Sequence, residues 1–393
     1  MSPPPDAAAE TRAVVTVTAI RSCGGWQVRR SAQVLRVRWQ DGRVAGSVRS
    51  AGPGPCDDLT ARLADAARRQ LRQFDDGLTA CDTPAARTVA VQSAQITAAA
   101  RVLGWPAGDG WPTGRVAVGM LVRGESAVGP LLLGGAESGT QVSAAGQGTG
   151  WLAAGTGCAA ALTAVARVIH DWRPADAGRS WQDLPLVLSP GVAAPVITGA
   201  RMALASPGAA KLAGRRILHD LALLDIPDGY QPGQSSPPGE TDDAGQPATV
   251  LHLVNRGVAA VPRRDPRTGL VAGRATWDHD AQRLTGPPHY RLSLHGAAGE
   301  APQGAVRLRW CVEGIRRFHP DGTMRLLCIA THPVTGHCFR LRLTARPLSL
   351  LRTAAAVTDD TAVIYAGDTV ATPSLVLPSA TELGNGGIHV EEV

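Results

Sequence analysis

Short runs in which apolar residues alternate with polar ones dominate the chain, and they predict strands more often than helices. Val14, Val15 and Val17, then Val34, Leu35, Val37 and Trp39, mark strands over 12–22 and 33–50, with Asp41-Gly42 as a turn before Val44. A helix follows: Asp57 and Asp58 offer caps, Leu59, Leu63, Ala67 and Leu71 recur at helical spacing, and Asp65 stands one turn before Arg69. Residues 89–150 return to apolar stretches punctuated by glycine and predict further antiparallel strands. Cys158, Leu162, Val165 and Ile169 share one helical face and predict a second helix over 156–171, with 173–179 as a linker. A boundary near 180 divides the chain into two domains, 1–179 and 180–393.

The second half opens on Pro185-Leu186-Val187-Leu188-Ser189-Pro190-Gly191-Val192-Ala193-Ala194. An apolar run ending in Ser-Pro-Gly predicts a buried strand turning into a helix. The Ser189 hydroxyl can cap orphan amides, and proline suits a first turn, where its missing N–H costs nothing. Residues 227–248, rich in proline, glycine, serine and acids, predict a mobile excursion. Val250 to Val254 and the Asn255-Arg256-Gly257 turn form a hairpin, and 273–295 a loop. Val306 to Trp310, Leu326 to Ile329 and Cys338 to Leu343 predict strands, the first and last with one buried and one solvated face. A final strand covers 372–380. The fold class is α+β: an N-terminal antiparallel sheet with helices, then a β-rich domain reached through a central helix.

With 393 residues, 44% of them hydrophobic, the chain can bury a large core, and at one domain per about 100 to 200 residues it holds two or three domains. Its net charge of +6 admits an acidic partner. The arginines are scattered in runs no longer than two and Lys211 is the only lysine, a pattern that weighs against nucleic acid. Met1-Ser2-Pro3-Pro4-Pro5-Asp6 lacks the make-up of a secretory signal, and the apolar stretch 151–170 is broken by glycines and Arg167, so neither export nor a membrane span is expected. Seven cysteines without a CxxC pair point to a reduced, cytoplasmic setting.

Candidate chemistry is sparse. His332-Pro333-Val334-Thr335-Gly336-His337-Cys338 could bring two imidazoles across a hairpin. Neighbouring strand residues point to opposite faces, however, so His337 and Cys338 do not readily share an ion. Cys158 follows a glycine turn at a helix start but lies on an apolar stripe, which favours core packing. No GxSxG elbow, phosphate loop or GxGxxG stands between a strand and a helix. His252, Asn255, Arg274, His289 and Arg291 are polar residues of strands and loops, for which simple solvation is the plain reading.

The Leu188-Ser189-Pro190 and Ala193-Ala194 segment resembles the strand-to-helix passage of the TldD/PmbA family, also called modulators of DNA gyrase, in which an LSPxxAA variant leads into a central helix. The strand-then-helix order before residue 71, the hairpin at 250–257, the loop at 273–295 and the last strand at 372–380 are similar to that family as well. The resemblance implies a barrel-like C-terminal domain. In zinc-bearing members the central helix carries HExxxH, and Thr198, Gly199 and Ala203 stand at those positions here, with no cysteine after Cys338 to match the family's third ligand. It therefore implies a TldE/PmbA-like subunit without catalytic residues or metal of its own. Such a subunit would pair with a TldD-like zinc subunit as a heterodimer acting on small or unfolded peptides, in peptide maturation or natural-product tailoring. His252, Asn255, Arg274, His289 and Arg291 would then line a peptide groove. Two alternatives stay open: an independent enzyme with a different metal site drawn from His289, His332, His337 and Cys338, and a stand-alone peptide-binding scaffold.

Overall fold

The computed structural model describes residues 9–22, 25–49, 90–101, 114–126, 129–142, 179–226, 241–286, 291–313, 321–365 and 369–393. The helices expected over 57–71 and 156–171, the 173–178 linker, Cys158, and 227–240 lie outside them.

The first six strands form one antiparallel sheet: β1 (Ala9–Ser22), β2 (Gly25–Gln40), β3 (Arg43–Arg49), β4 (Ala90–Arg101), β5 (Gly114–Ser126) and β6 (Gly129–Val142), in the order β3-β2-β1-β4-β5-β6. The Asp41-Gly42 turn has both φ angles positive, and Val37, Trp39 and Val44 pack together where the β2–β3 hairpin folds over. The expected second strand thus starts earlier and is split in two by this turn.

A short 3₁₀ turn (Arg179–Asp183) leads into β7 (Pro185–Leu188) and then α1 (Pro190–Ala205). β7 is central in a seven-stranded sheet. It runs parallel to β14 (Val306–Glu313) and antiparallel to β20 (Leu375–Ser379), in the order β17-β20-β7-β14-β15-β16-β21. The other members are β15 (Met324–Thr331), β16 (Cys338–Ala345), β17 (Ala356–Val357) and β21 (His389–Glu392). Both faces of β7 are covered, which is why Leu186, Val187 and Leu188 read as an unbroken apolar run. A second sheet, β10-β9-β8-β13-β19-β18, comprises β8 (Ala222–Ile226), β9 (Leu251–Asn255), β10 (Val258–Ala259), β13 (Arg291–His295), β18 (Ala362–Tyr365) and β19 (Thr369–Thr372). Between them in sequence lies a small hairpin, β11 (Thr276–Asp278) and β12 (Arg283–Thr285).

The two sheets curl around α1, whose Val192, Ala193, Ala194, Val196, Ile197 and Ala200 are fully buried in one core with Leu223, Leu292, Leu308, Leu341 and Leu375. Polar contrast is weak along α1 because nearly every side faces protein. Pro190 opens the helix as expected, but the Ser189 hydroxyl makes no cap bond. Instead the Ser189 N–H donates to the Leu308 carbonyl (2.9 Å), and its own carbonyl receives the amides of Val192 and Ala193. Being tied to β14 positions the residue without its hydroxyl.

Two short helices, α2 (Pro347–Thr353) and α3 (Ala380–Asn385), complete the core. α3 is fixed by a capping box in which Ser379 and Glu382 each satisfy the other's amide.

Residues 241–248 are ordered, contrary to the mobile excursion expected over 227–248. Asp242 is buried; its Oδ1 accepts the amides of Ala244 (2.9 Å) and Gln246 (2.8 Å), and its Oδ2 that of Ala275 (2.9 Å). Burial pushes this carboxyl above its ordinary pKa, against the pull of the three amides. The loop also receives the N-terminal sheet: the Val44 N–H donates to the Asp243 carbonyl (2.9 Å). Gly245, at φ +77°, lies so close that a Cβ would stand 2.1 Å from the Gly42 carbonyl oxygen. Ser47 of β3 accepts from Trp277 Nε1 (2.8 Å) and hydrogen-bonds His279 Nδ1 (2.6 Å), which pins β3 to the β11–β12 hairpin.

Farther along, Asp360 accepts from the Ser374 hydroxyl (2.6 Å), the Ser374 amide (2.8 Å) and the Thr358 hydroxyl, joining the turn before β18 to the start of β20. Partial burial alone would raise its pKa; the hydrogen bonds from Ser374 and Thr358 outweigh it and hold the group below the ordinary value of 3.8. A depressed carboxyl adds stability that is fully present above its unfolded pKa and is lost as pH falls through the folded one. Urea titrations should therefore show wild type exceeding Asp360→Asn at neutral pH, with the gap closing below 3.8. A gap independent of pH would show that the carboxylate charge is not what matters.

Candidate functional site

The helix that the fold encloses is also where its candidate site lies. α1 emerges from β7 and crosses between the sheets against β14, β19 and α2. Along its second half, Gly199, Ala200, Arg201 and Leu204 are buried, Thr198, Ala203 and Ala205 half-buried, and Met202 is 48% exposed. Thr198 and Met202, one turn apart, make the open stripe of the helix, with Ala205 at its margin and Ala203 on the side of Gly199. This stripe carries no charge and no metal-ligating nitrogen, carboxylate or thiolate. Thr198, Gly199 and Ala203 do not share one exposure: Thr198 lies on the open stripe, while Gly199 is buried and Ala203, one turn on from it, half-buried.

The second sheet supplies a polar surface on its far side. Leu223, Val254, Leu292 and Leu294 face α1. An irregularity in the β8–β9 pairing leaves both Leu253 and Val254 turned into the core, so His252 and Asn255, on either side of them, are both exposed. His252 stands in register with Leu224, and Leu224 with Ser293, whose hydroxyl is 2.8 Å from His295 Nε2. His252, Ser293 and His295 thus occupy the face turned away from α1. The Ser293–His295 pair escaped sequence reading, although Leu292-Ser293-Leu294-His295 shows the alternation that places both polar groups on one face.

Arg274 is placed quite differently from His252. Its side chain is 0% exposed; Nε donates to Asp225 Oδ2 at 2.6 Å, and the terminal nitrogens donate to the carbonyls of Gly273 (2.8 Å), Asp225 (3.0 Å) and Thr249 (2.8 Å). A guanidinium so engaged ties the loop before β11 to β8 and presents nothing to a groove. Arg291 begins β13 with its backbone paired to Ile226; its side chain and the whole of His289 lie outside the described residues.

The His332–Cys338 turn does not assemble a metal site. The His332 N–H donates to the His337 carbonyl (2.8 Å), and His332 Nδ1 accepts the amides of Val334 (3.3 Å) and Thr335 (3.4 Å), so the buried ring braces its own turn. His337 is exposed, whereas Cys338 is buried with its Sγ 3.7 Å from Thr331 Oγ1. Among the described residues no group of three His, Cys, Asp or Glu converges as a metal would need. Cys311 and Cys328 face each other across β14 and β15; their mutual hydrogen bond and then burial push the Cys328 thiol well up, which marks it as inert. No helix among the described residues is long and apolar enough to cross a membrane.

No protein-family model and no curated protein sequence matches the chain. Solved structures do. TldE from Thermococcus kodakarensis superposes with a TM-score of 0.62 at 14% identity, covering 94% of this chain and 95% of its own. A protein from Thermotoga maritima named as a modulator of a DNA gyrase superposes with a TM-score of 0.53 at 14% identity, over 94% and 93% of the two chains. The resemblance noted in the sequence is thus matched in three dimensions along nearly the full chain: this protein has the TldD/PmbA/TldE-type fold.

Proposed function

We propose that this chain is a TldE/PmbA-like subunit without catalytic residues of its own, which completes a peptide-processing chamber whose zinc centre belongs to a TldD-like partner. The observation that carries this reading is the open stripe of α1. On a fold shared with TldE, the helix presents Thr198 and Met202, and these side chains can touch a peptide but cannot hold zinc or activate water. The chain's contribution is wall and contact surface, the substrates are small or unfolded peptides, and the zinc is the partner's.

The test is co-expression with a TldD-like protein that carries HExxxH. The expected result is co-purification as a heteromer, zinc in proportion to the partner alone, and cleavage of an unfolded test peptide only by the mixture. Stoichiometric zinc in this chain by itself, or hydrolysis by it alone, would overturn the proposal in favour of an independent enzyme. Failure to bind any such partner while still binding peptide would leave a stand-alone scaffold.

A further inference from the structure

A hydrogen-bond cluster closes the corner where β3, the edge strand of the N-terminal sheet, meets the 241–248 loop and the β11–β12 hairpin. The Val44 N–H donates to the Asp243 carbonyl (2.9 Å). Gln282, at φ +48° in the hairpin turn, acts as a substitute strand partner: its Nε2 donates to the Ser47 carbonyl (3.1 Å) and its Oε1 accepts the Ser47 amide (3.4 Å). Inside this edge pairing the Ser47 side chain is buried between Trp277 Nε1 (2.8 Å) and His279 Nδ1 (2.6 Å). Behind it, Val37, Trp39 and Val44 form a small apolar cluster that Trp277 helps to cover.

The donors and acceptors at this corner fix the tautomer of His279. An indole nitrogen only donates, and a hydroxyl has one proton to give and two lone pairs. Trp277 Nε1 takes one lone pair of Ser47 Oγ, and Gln282 Nε2, 3.4 Å away, faces the other. The hydroxyl proton goes to His279 Nδ1, the only acceptor within its reach among the described residues, and Nδ1 must be unprotonated to receive it. A proton on Nδ1 would aim three N–H groups at one oxygen and leave the hydroxyl with nothing to donate to, in a site where an unmet donor is costly. Gln282 Nε2, 3.3 Å from the same Nδ1, would then be opposed as well.

Several charged groups surround the ring, and among the described residues none of them bonds to it. Asp278 and Asp280 flank it in the hairpin and Arg283 follows in β12. Arg49 of β3 is 3.8 Å from Asp280, and both are exposed and screened. Asp41 and Arg43 lie at the other end of β3, while Arg36 and Arg38 of β2, in register with Val48 and Gly46, point to the face opposite Ser47. From the 241–248 loop, Asp243 accepts the Trp277 amide (2.7 Å), with Asp242 buried beside it. Burial raises the Asp242 carboxyl, so it too takes up a proton readily. Its effect has the opposite sign, because a carboxyl whose pKa is raised in the folded state adds stability as pH falls.

We propose that His279 is an acid-sensitive latch: protonation at Nδ1 releases the β3 edge, and with it the β2–β3 hairpin, from the β11–β12 hairpin. Histidine is the side chain whose ordinary change of charge falls between about pH 5 and 8, so the switch operates under mild acid and not only in denaturing conditions. Neutral His279 holds the corner closed over Val37, Trp39 and Val44; the protonated ring loosens it. The latch acts on the attachment of the N-terminal sheet and does not rest on the peptide-processing role proposed above.

Hydrogen exchange of the full-length protein, followed by mass spectrometry, reads the latch at the amides of β3, each compared with its intrinsic rate at the same pH. Protection there should fall by about tenfold or more between about pH 8 and about pH 5.5, while β7 and the first half of α1 keep theirs. His279→Asn, whose side-chain oxygen can accept the Ser47 proton but does not titrate, should hold its protection to within about twofold across the same range. Asp242→Asn should still show the fall. Should the asparagine variant at 279 misfold, Ser47→Ala removes the hydroxyl on which the effect rests and must lose the pH dependence. A fall that persists in His279→Asn or Ser47→Ala, an equal loss across β7 and α1, or no fall in wild type would each overturn the assignment.

Discussion

Replacing Arg274 by methionine should destabilise the protein by about 3–5 kcal/mol, because it leaves the Asp225 carboxylate buried without its counter-charge. The pair is sealed from solvent, with side chains 0% and 5% exposed, and the same guanidinium serves three backbone carbonyls. Urea unfolding should show a lower midpoint at unchanged slope. The double variant Arg274→Met with Asp225→Leu should recover much of the loss, since removing both charges ends the uncompensated burial. An Arg274→Met protein of wild-type stability that loses peptide binding would reverse this assignment and return Arg274 to the role its loop suggested. Position alone cannot make it a substrate contact: with no solvent-facing atom, it acts by holding the loop before β11 against β8 and Thr249.

The second large effect is expected at Trp181, just before β7. The indole is 0% exposed, lies tilted against Phe339 with centroids 5.8 Å apart, and donates from Nε1 to Glu392 Oε2 at 3.2 Å. Trp181→Ala should cost about 3–5 kcal/mol through lost burial and the cavity left behind. Trp181→Phe keeps most of the apolar contact and should cost about 1–2 kcal/mol, chiefly the lost hydrogen bond and the smaller ring. Hydrogen exchange separates a local from a global effect. Because Glu392 belongs to β21, the edge of its sheet, the alanine variant should raise exchange in 389–392 before the neighbouring β16 is affected. Uniform acceleration across the whole sheet would show that Trp181 supports the core and has no special tie to β21.

Much of this architecture is legible locally. Strict alternation in Cys338 to Leu343 and around Val306 marks real strands, the Asp41-Gly42 and Arg256-Gly257 turns fall where left-handed backbone is needed, and Ser189-Pro190 starts a helix. The capping box of α3 is written in Ser379-Ala380-Thr381-Glu382 and could have been read there. Other features have no local signature. α2 is a single short segment whose helicity rests on burying Leu350 and Leu351. β21 forms because β16 offers it an edge. The order of 241–248 comes from Asp242 reaching Ala275, thirty-three positions away.

The candidate residues divide the same way. That Thr198, Gly199 and Ala203 cannot bind zinc is a property of the side chains and needs no coordinates. His252 and Arg274 looked alike in sequence, two polar residues in β-rich surroundings. One stands exposed at a pairing irregularity, the other is enclosed by Asp225 and backbone carbonyls. Residue chemistry and local periodicity by themselves determined the α+β class and the strand-to-helix passage, because each depends on neighbours within a few residues. Which polar groups are buried, which charges share a surface and which face of α1 stays open were decided by the tertiary structure, because desolvation and Coulomb interaction depend on distance in space and not along the chain.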